Sequence, residues 1–128
     1  MDNTTNSLNW FEIPAVDLDR ASKFYGTIFG VEMVPWDEMM GMKMTGFPSD
    51  MGNGKVSGAL VKSQFHKPSA DGVVVYLNAN PKIQDVIDRI DKAGGQVVMP
   101  RTVISDNIGV MAFFIDTEGN RVGLHAQQ

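Results

Sequence analysis

NWFEIPAVDLDRASKFYGTIFG, residues 9–30, decides how the rest of the chain is read. Trp10, Phe11, Ile13 and Val16 make residues 10–16 a strand, which breaks at Asp17. The same aspartate suits a helix N-cap, and Asp19 adds negative charge to the first turn. Leu18, Ala21, Phe24, Tyr25 and Ile28 recur at helical spacing and give one apolar face. Gly30 stands where a left-handed C-terminal residue is expected.

Downstream, residues 31–34 read as a short strand stopped by Pro35. A methionine- and glycine-rich stretch follows over 36–54, with a strand near 41–47 and a turn at 49–54. Residues 55–62 are the next strand, and 63–71 a linker. The plan then repeats: a strand at 72–78, a helix opened by Asn80-Pro81 and closed by Gly94-Gly95, and a strand at 96–99 ended by Pro100. A short extended piece at 101–104, strands at 110–116 and 121–125 and a tight turn at 117–120 complete it. Ile83, Val86, Ile87 and Ile90 give the second helix its apolar face. The segments FYGTIFGVEMVP (24–35) and RIDKAGGQVVMP (89–100) share a helix-Gly-strand-Pro punctuation, the best internal sign of duplication. The order implies an α+β domain, each half a helix packed on a small curved sheet.

The chain has 128 residues, enough for one domain with a real core. A net charge of -4 argues against sequence-independent nucleic-acid binding, which needs a basic face. With no cysteine there is no disulfide or thiolate chemistry. No apolar run approaches the ~18 residues of a membrane span, and the N-terminus lacks a signal pattern. A cytoplasmic protein with no membrane partner is the expectation.

VDLDRASKFYG (16–26), GVVVYLNANP (72–81) and FFIDTEGNRVGLH (113–125), in this order and spacing, resemble the glyoxalase, bleomycin-resistance and extradiol dioxygenase superfamily, the vicinal oxygen chelate fold. The resemblance covers about residues 8–125. It implies two βαβββ modules, about 8–62 and 72–125, forming a curved mixed sheet around a cavity with the helices outside. It also implies a homodimer, and a divalent metal held by His and Glu from four strands. Carried over one at a time, the four positions fall on Trp10, on Gly58 or Ala59, on Val73 or Val74, and on Gly123. None offers a side chain that binds a cation. No metal ligand and no cofactor is therefore assigned; the substitutions leave a roomier, drier cavity.

Glu12 shares Trp10's face of its strand, and His125 shares Gly123's. If both faces line the cavity, Glu12 and His125 form an acid/base pair or a two-ligand metal site; otherwise they are ordinary strand and rim residues. Trp10, Trp36, Phe47 and Tyr76 are candidates to stack on a flat ligand, with Val74 and Gly123 lining beside them; the plainer reading is core packing. The methionines are an adaptable pocket wall, or filler for an irregular core or a dimer contact. His66, in the linker, reads as exposed. Asp116, Glu118 and Asn120 read as a plain hairpin turn and not a calcium loop. The expectation is a protein without the family's metal ligands that binds a small organic molecule in an apolar cavity. The alternatives are a metal-dependent lyase or dioxygenase-type enzyme with a displaced site around Glu12 and His125, and a regulatory module with a vestigial cavity.

Overall fold

Residues 1–50 and 52–128 are described by a computed structural model; Met51, part of the methionine-rich stretch, lies outside the described residues. The elements are β1 (Trp10–Pro14), α1 (Leu18–Phe29), β2 (Val34–Pro35), β3 (Lys43–Gly46), β4 (Ser57–Lys62), β5 (Tyr76–Asn78), α2 (Ile83–Ile90), β6 (Gln96–Ser105), β7 (Gly109–Ile115) and β8 (Arg121–Ala126). They form two four-stranded sheets, ordered β1-β4-β3-β2 and β5-β8-β7-β6. In each sheet the first strand runs parallel to the last, β1 beside β4 and β5 beside β8, and the other pairs are antiparallel. This is an α+β fold of two like modules.

The local signals for α1 hold. Asp17 has an extended backbone and its side chain accepts from the Arg20 N–H at 3.0 Å. Gly30 sits at φ 63°, and the Val31 N–H closes on the Gly26 carbonyl at 3.0 Å. The second helix begins later than its asparagine and proline imply. Its N-cap is Lys82, which makes no side-chain cap bond, and Asn80-Pro81 is a cis peptide ahead of it.

Three strands differ from expectation. The run at 72–78 gives a strand only at Tyr76–Asn78, because Val73 is 91% exposed and lies outside the ladder. The strand at 31–34 shrinks to Val34–Pro35. Neither Pro35, which is paired within β2, nor Pro100 stops a strand: β6 runs through the latter. It is an edge strand, where a missing N–H costs no ladder bond, and its pairing with β7 shifts register on either side of the proline.

One core serves both modules. Ala21, Phe24, Tyr25 and Ile28 of α1 join Ile83, Val86, Ile87 and Ile90 of α2 in a single cluster with Ile13, Leu60, Leu77, Phe114 and Leu124. Phe24 stacks on Phe114 of the second sheet at 5.8 Å between ring centroids, and Tyr25 meets Phe47 of the first at 5.5 Å. Each fully buried Phe, Ile or Leu of this cluster contributes roughly 1.5–3 kcal/mol.

The hairpin between β7 and β8 then locks onto the first module. Glu118 Oε1 accepts from the backbone N–H groups of Val16 and Asp17 at 2.8 and 2.7 Å, and Arg20 clamps both carboxylate oxygens. Asp116 Oδ2 accepts from the Tyr25 hydroxyl at 2.7 Å and from Asn120 Nδ2, which also reaches the Pro14 carbonyl at 2.7 Å. The turn is a hairpin, as its sequence implies, and it is also the bolt between modules.

Burial pushes the Glu118 carboxyl up, but hydrogen bonds from Arg20, Asp17 and Thr117 outweigh it and leave it below the ordinary carboxylate value. Burial pushes the Tyr25 hydroxyl well up, and the Asp116 carboxylate adds to that. A carboxyl depressed in the folded state stabilises above its unfolded value, and that contribution is lost as pH falls through the folded value. Glu118→Ala is therefore expected to cost about 2 kcal/mol through the orphaned N–H groups. In thermal melts, its deficit against wild type should be largest at neutral pH and shrink through the acid carboxylate range.

Candidate functional site

With the helices packed on one side, the sheet faces turned away from them carry the candidate residues. On the first sheet Trp10, Glu12 and Pro14 lie beside Ser57, Ala59 and Val61 in register. Trp10, Trp36 and Met42 pack there over Met44, Ala59 and Val61, a cluster separate from the main core. The two indoles are 5.4 Å apart between centroids. Trp36 lies so close to the sheet that a Cβ on Gly46 would come within 2.8 Å of its Nε1. On the second sheet Tyr76 pairs with Gly123 and Asn78 with His125. The Tyr76 ring covers Gly123, where a Cβ would stand 2.6 Å from the ring, and leans on Phe113 at 5.6 Å.

The Trp10 and Gly123 positions thus carry ring systems, and Ala59 is fully buried. Val74 is half-buried and outside any strand. Among the described residues no three of His, Asp and Glu stand together as a cation site. The residues at these four places do not fit a divalent metal.

Glu12 and His125 each have another partner. His125 Nε2 meets the Ile108 carbonyl at 2.7 Å, and since a carbonyl only accepts, that nitrogen carries the proton. Glu12 takes His66 instead. His66 Nε2 donates to Glu12 Oε1 at 2.9 Å, its Nδ1 lies 2.6 Å from Ser63 Oγ, and Trp10 Nε1 donates to Glu12 Oε2 at 3.3 Å. His66 is therefore not the exposed linker residue that its neighbours Lys67 and Pro68 imply; its side chain is 18% exposed. The linker folds back over β1 and delivers it. The one sequence signal for this was a carboxylate on a strand face with no cation near it in sequence.

The candidates are spread over several hollows. Trp36 lines one with Met33 and Met44. Glu12 lines another, at the junction of the modules, with Arg121. His125 and Tyr76 line a third with Ile104 and Met111. Tyr76 also borders the most apolar one, about 470 Å³, between the start of β1 and β5. Its wall is Phe11, Phe29, Phe47, Val56, Val75 and Leu77, with Ser57, Asn78 and Asn80 as its polar groups. Phe47 was among the aromatic candidates; Phe11 and Phe29 were not singled out.

The family described as Glyoxalase/Bleomycin resistance protein/Dioxygenase superfamily matches residues 7–124. A "Glyoxylase-like domain-containing protein" of Didymella fabae is 29% identical over 122 residues, 88% of each chain. Among solved structures, TnmS3, an antibiotic binding protein from Streptomyces sp. CB03234, is similar with a TM-score of 0.63 at 18% identity, over 98% of both chains. Glyoxalase I from Zea mays gives a TM-score of 0.64 at 19% identity, over 93% of this chain and 43% of that one. These two likenesses are likenesses of fold.

Since Tyr76 rests on a bare Cα, Gly123→Ala is expected to push the ring away and cost about 1–3 kcal/mol. Chemical denaturation measures the loss, and ring-proton shifts of Tyr76 and Phe113 show its origin.

Proposed function

The chain belongs to the glyoxalase/bleomycin resistance protein/dioxygenase superfamily, and we propose that it binds a small organic molecule in the apolar hollow beside β1 and β5, without a metal. The observation that carries this is the hollow itself. Its volume of about 470 Å³ falls within the ~300–1,000 Å³ of small-molecule sites, and phenylalanine and aliphatic side chains dominate its wall. Polar groups at the rim complete it. The Asn78 amide oxygen is taken by Asn80, so its nitrogen is left to donate, and the Tyr76 hydroxyl also has no partner among the described residues. A largely hydrocarbon or aromatic guest with one acceptor group suits that lining. The shared fold of an antibiotic binding protein supports ligand binding.

The helix-free faces have a second role in this reading. Tyr76 is 49% and Ile104 42% exposed, and Trp10 and Trp36 are half-buried. A homodimer covers these rings and brings Trp10, Trp36, Val74 and Gly123 of one chain toward a second copy. A lyase or dioxygenase-type enzyme working through Glu12 and His125 is the weaker reading, because those two line different hollows.

Thermal melts without added metal, over a panel of aromatic compounds, test this. A binder at a hundredfold excess over Kd is expected to stabilise by about 2.7 kcal/mol, and Val56→Trp, which fills the hollow, to abolish the shift. Equal shifts in that variant, or nickel, zinc or iron retained one per chain after dialysis and required for binding, would overturn it.

A further inference from the structure

The junction hollow that Glu12 lines differs in character from the apolar one. Its apolar lining is Pro14, Val73 and Val75, over the buried core residues Ile13 and Val122. Its rim carries both signs of charge: Glu12 from β1, Lys67 and Asp71 from the linker, and Arg121 from β8. Such groups at a surface commonly close on one another. Here they stay apart. Among the described residues the close contacts between basic and acidic side chains are Arg20–Glu118 and the His66–Glu12 hydrogen bond, so Lys67, Asp71 and Arg121 have no opposite charge in contact.

Two of the four charges are instead held by local ties. The Arg121 guanidinium lies over the Phe113 ring at 5.5 Å. The Glu12 carboxylate is fixed between Trp10 and His66, and His66 in turn by Ser63. Each Glu12 oxygen keeps accepting capacity beyond those bonds. Both ring nitrogens of His66 are engaged, so it is a positioning residue that faces Glu12 and not a guest. The rim therefore offers two cations and two carboxylates, unneutralised by one another, above an apolar floor.

We propose that this hollow binds a small zwitterion of the amino-acid class. Its carboxylate lies on Arg121 and Lys67, which together supply a forked donor and a point charge. Its ammonium donates to Glu12, with Asp71 adding negative potential. Its aliphatic side chain lies on Pro14, Val73 and Val75. The volume of about 220 Å³ is below that of drug-sized pockets and limits the guest to a small molecule. This hollow meets the apolar one only at Val75, and the proposal does not rest on that one.

The test is a titration of ¹⁵N-labelled full-length chain with three probes of one carbon skeleton: L-leucine, isopentylamine and 4-methylpentanoate. Leucine is expected to shift the amides of residues 67, 69–73 and 121–122, with the amine and the acid binding at least tenfold more weakly. Glu12→Gln and Arg121→Gln are each expected to weaken leucine at least tenfold, with amide spectra elsewhere matching wild type as proof of folding. Lys67→Gln, on the exposed linker, serves the same purpose should either of the others misfold. No shift with leucine, half-molecules that bind as tightly as leucine, or folded variants that bind it as wild type does would each overturn the proposal. Shifts at residues 29–31 and 56–57 would report on the apolar hollow instead, so the two sites fail or succeed separately.

Discussion

A single carboxylate, taken out of water at the tip of the β7–β8 hairpin, fixes the relation between the two halves. Glu118 has no exposed side-chain surface, and its oxygens face two backbone N–H groups and an arginine of the other module. A buried carboxylate is tolerated only when donors surround it. Here the donors come from the corner between β1 and α1, so the corner and the hairpin specify one another. Tyr25, Asp116 and Asn120 continue the lock inward. With the corner fixed, α1 lies against both sheets and α2, and the chain has one shared core.

That arrangement decides where a ligand can go. The helix sides of both sheets are used up in the core, which leaves the opposite faces and the seam between modules. On the opposite faces, rings lie on small residues: Trp36 against Gly46, Tyr76 against Gly123. Side chains that would hold a cation have no place beneath them. The seam is different. There β1 and β5, both edge strands, leave an apolar hollow beside the start of β1 and a charged one beside its end. The wall itself is mixed, since Glu12, His66 and Arg121 stand on or against it.

What the sequence made legible was local. The cap at Asp17, the left-handed Gly30 and the apolar faces of both helices depend on residues within one or two turns, and they appear as read. The order of elements carried the fold, because two strand-helix-strand runs with matching stops permit few arrangements. What stayed hidden was made by distance. Glu12 meets His66 from 54 positions away, and Glu118 meets Arg20 from 98; no spacing rule reaches so far. Residues 72–75 were misread because β-branched composition reports fitness for a strand, not the presence of a neighbour to pair with. Pro100 was misread because its cost depends on whether the strand is an edge, which only the finished sheet determines.

The most direct measurement is a crystal structure of the chain soaked with a brominated aromatic compound in buffer containing nickel and zinc, with anomalous scattering recorded for all three elements. The account expects bromine against Phe11, Phe47 and Val75, and no metal peak on either helix-free face. A metal peak there with three protein donors, or bromine seated on the Trp10–Trp36 pair with the hollow beside β5 closed, would contradict it.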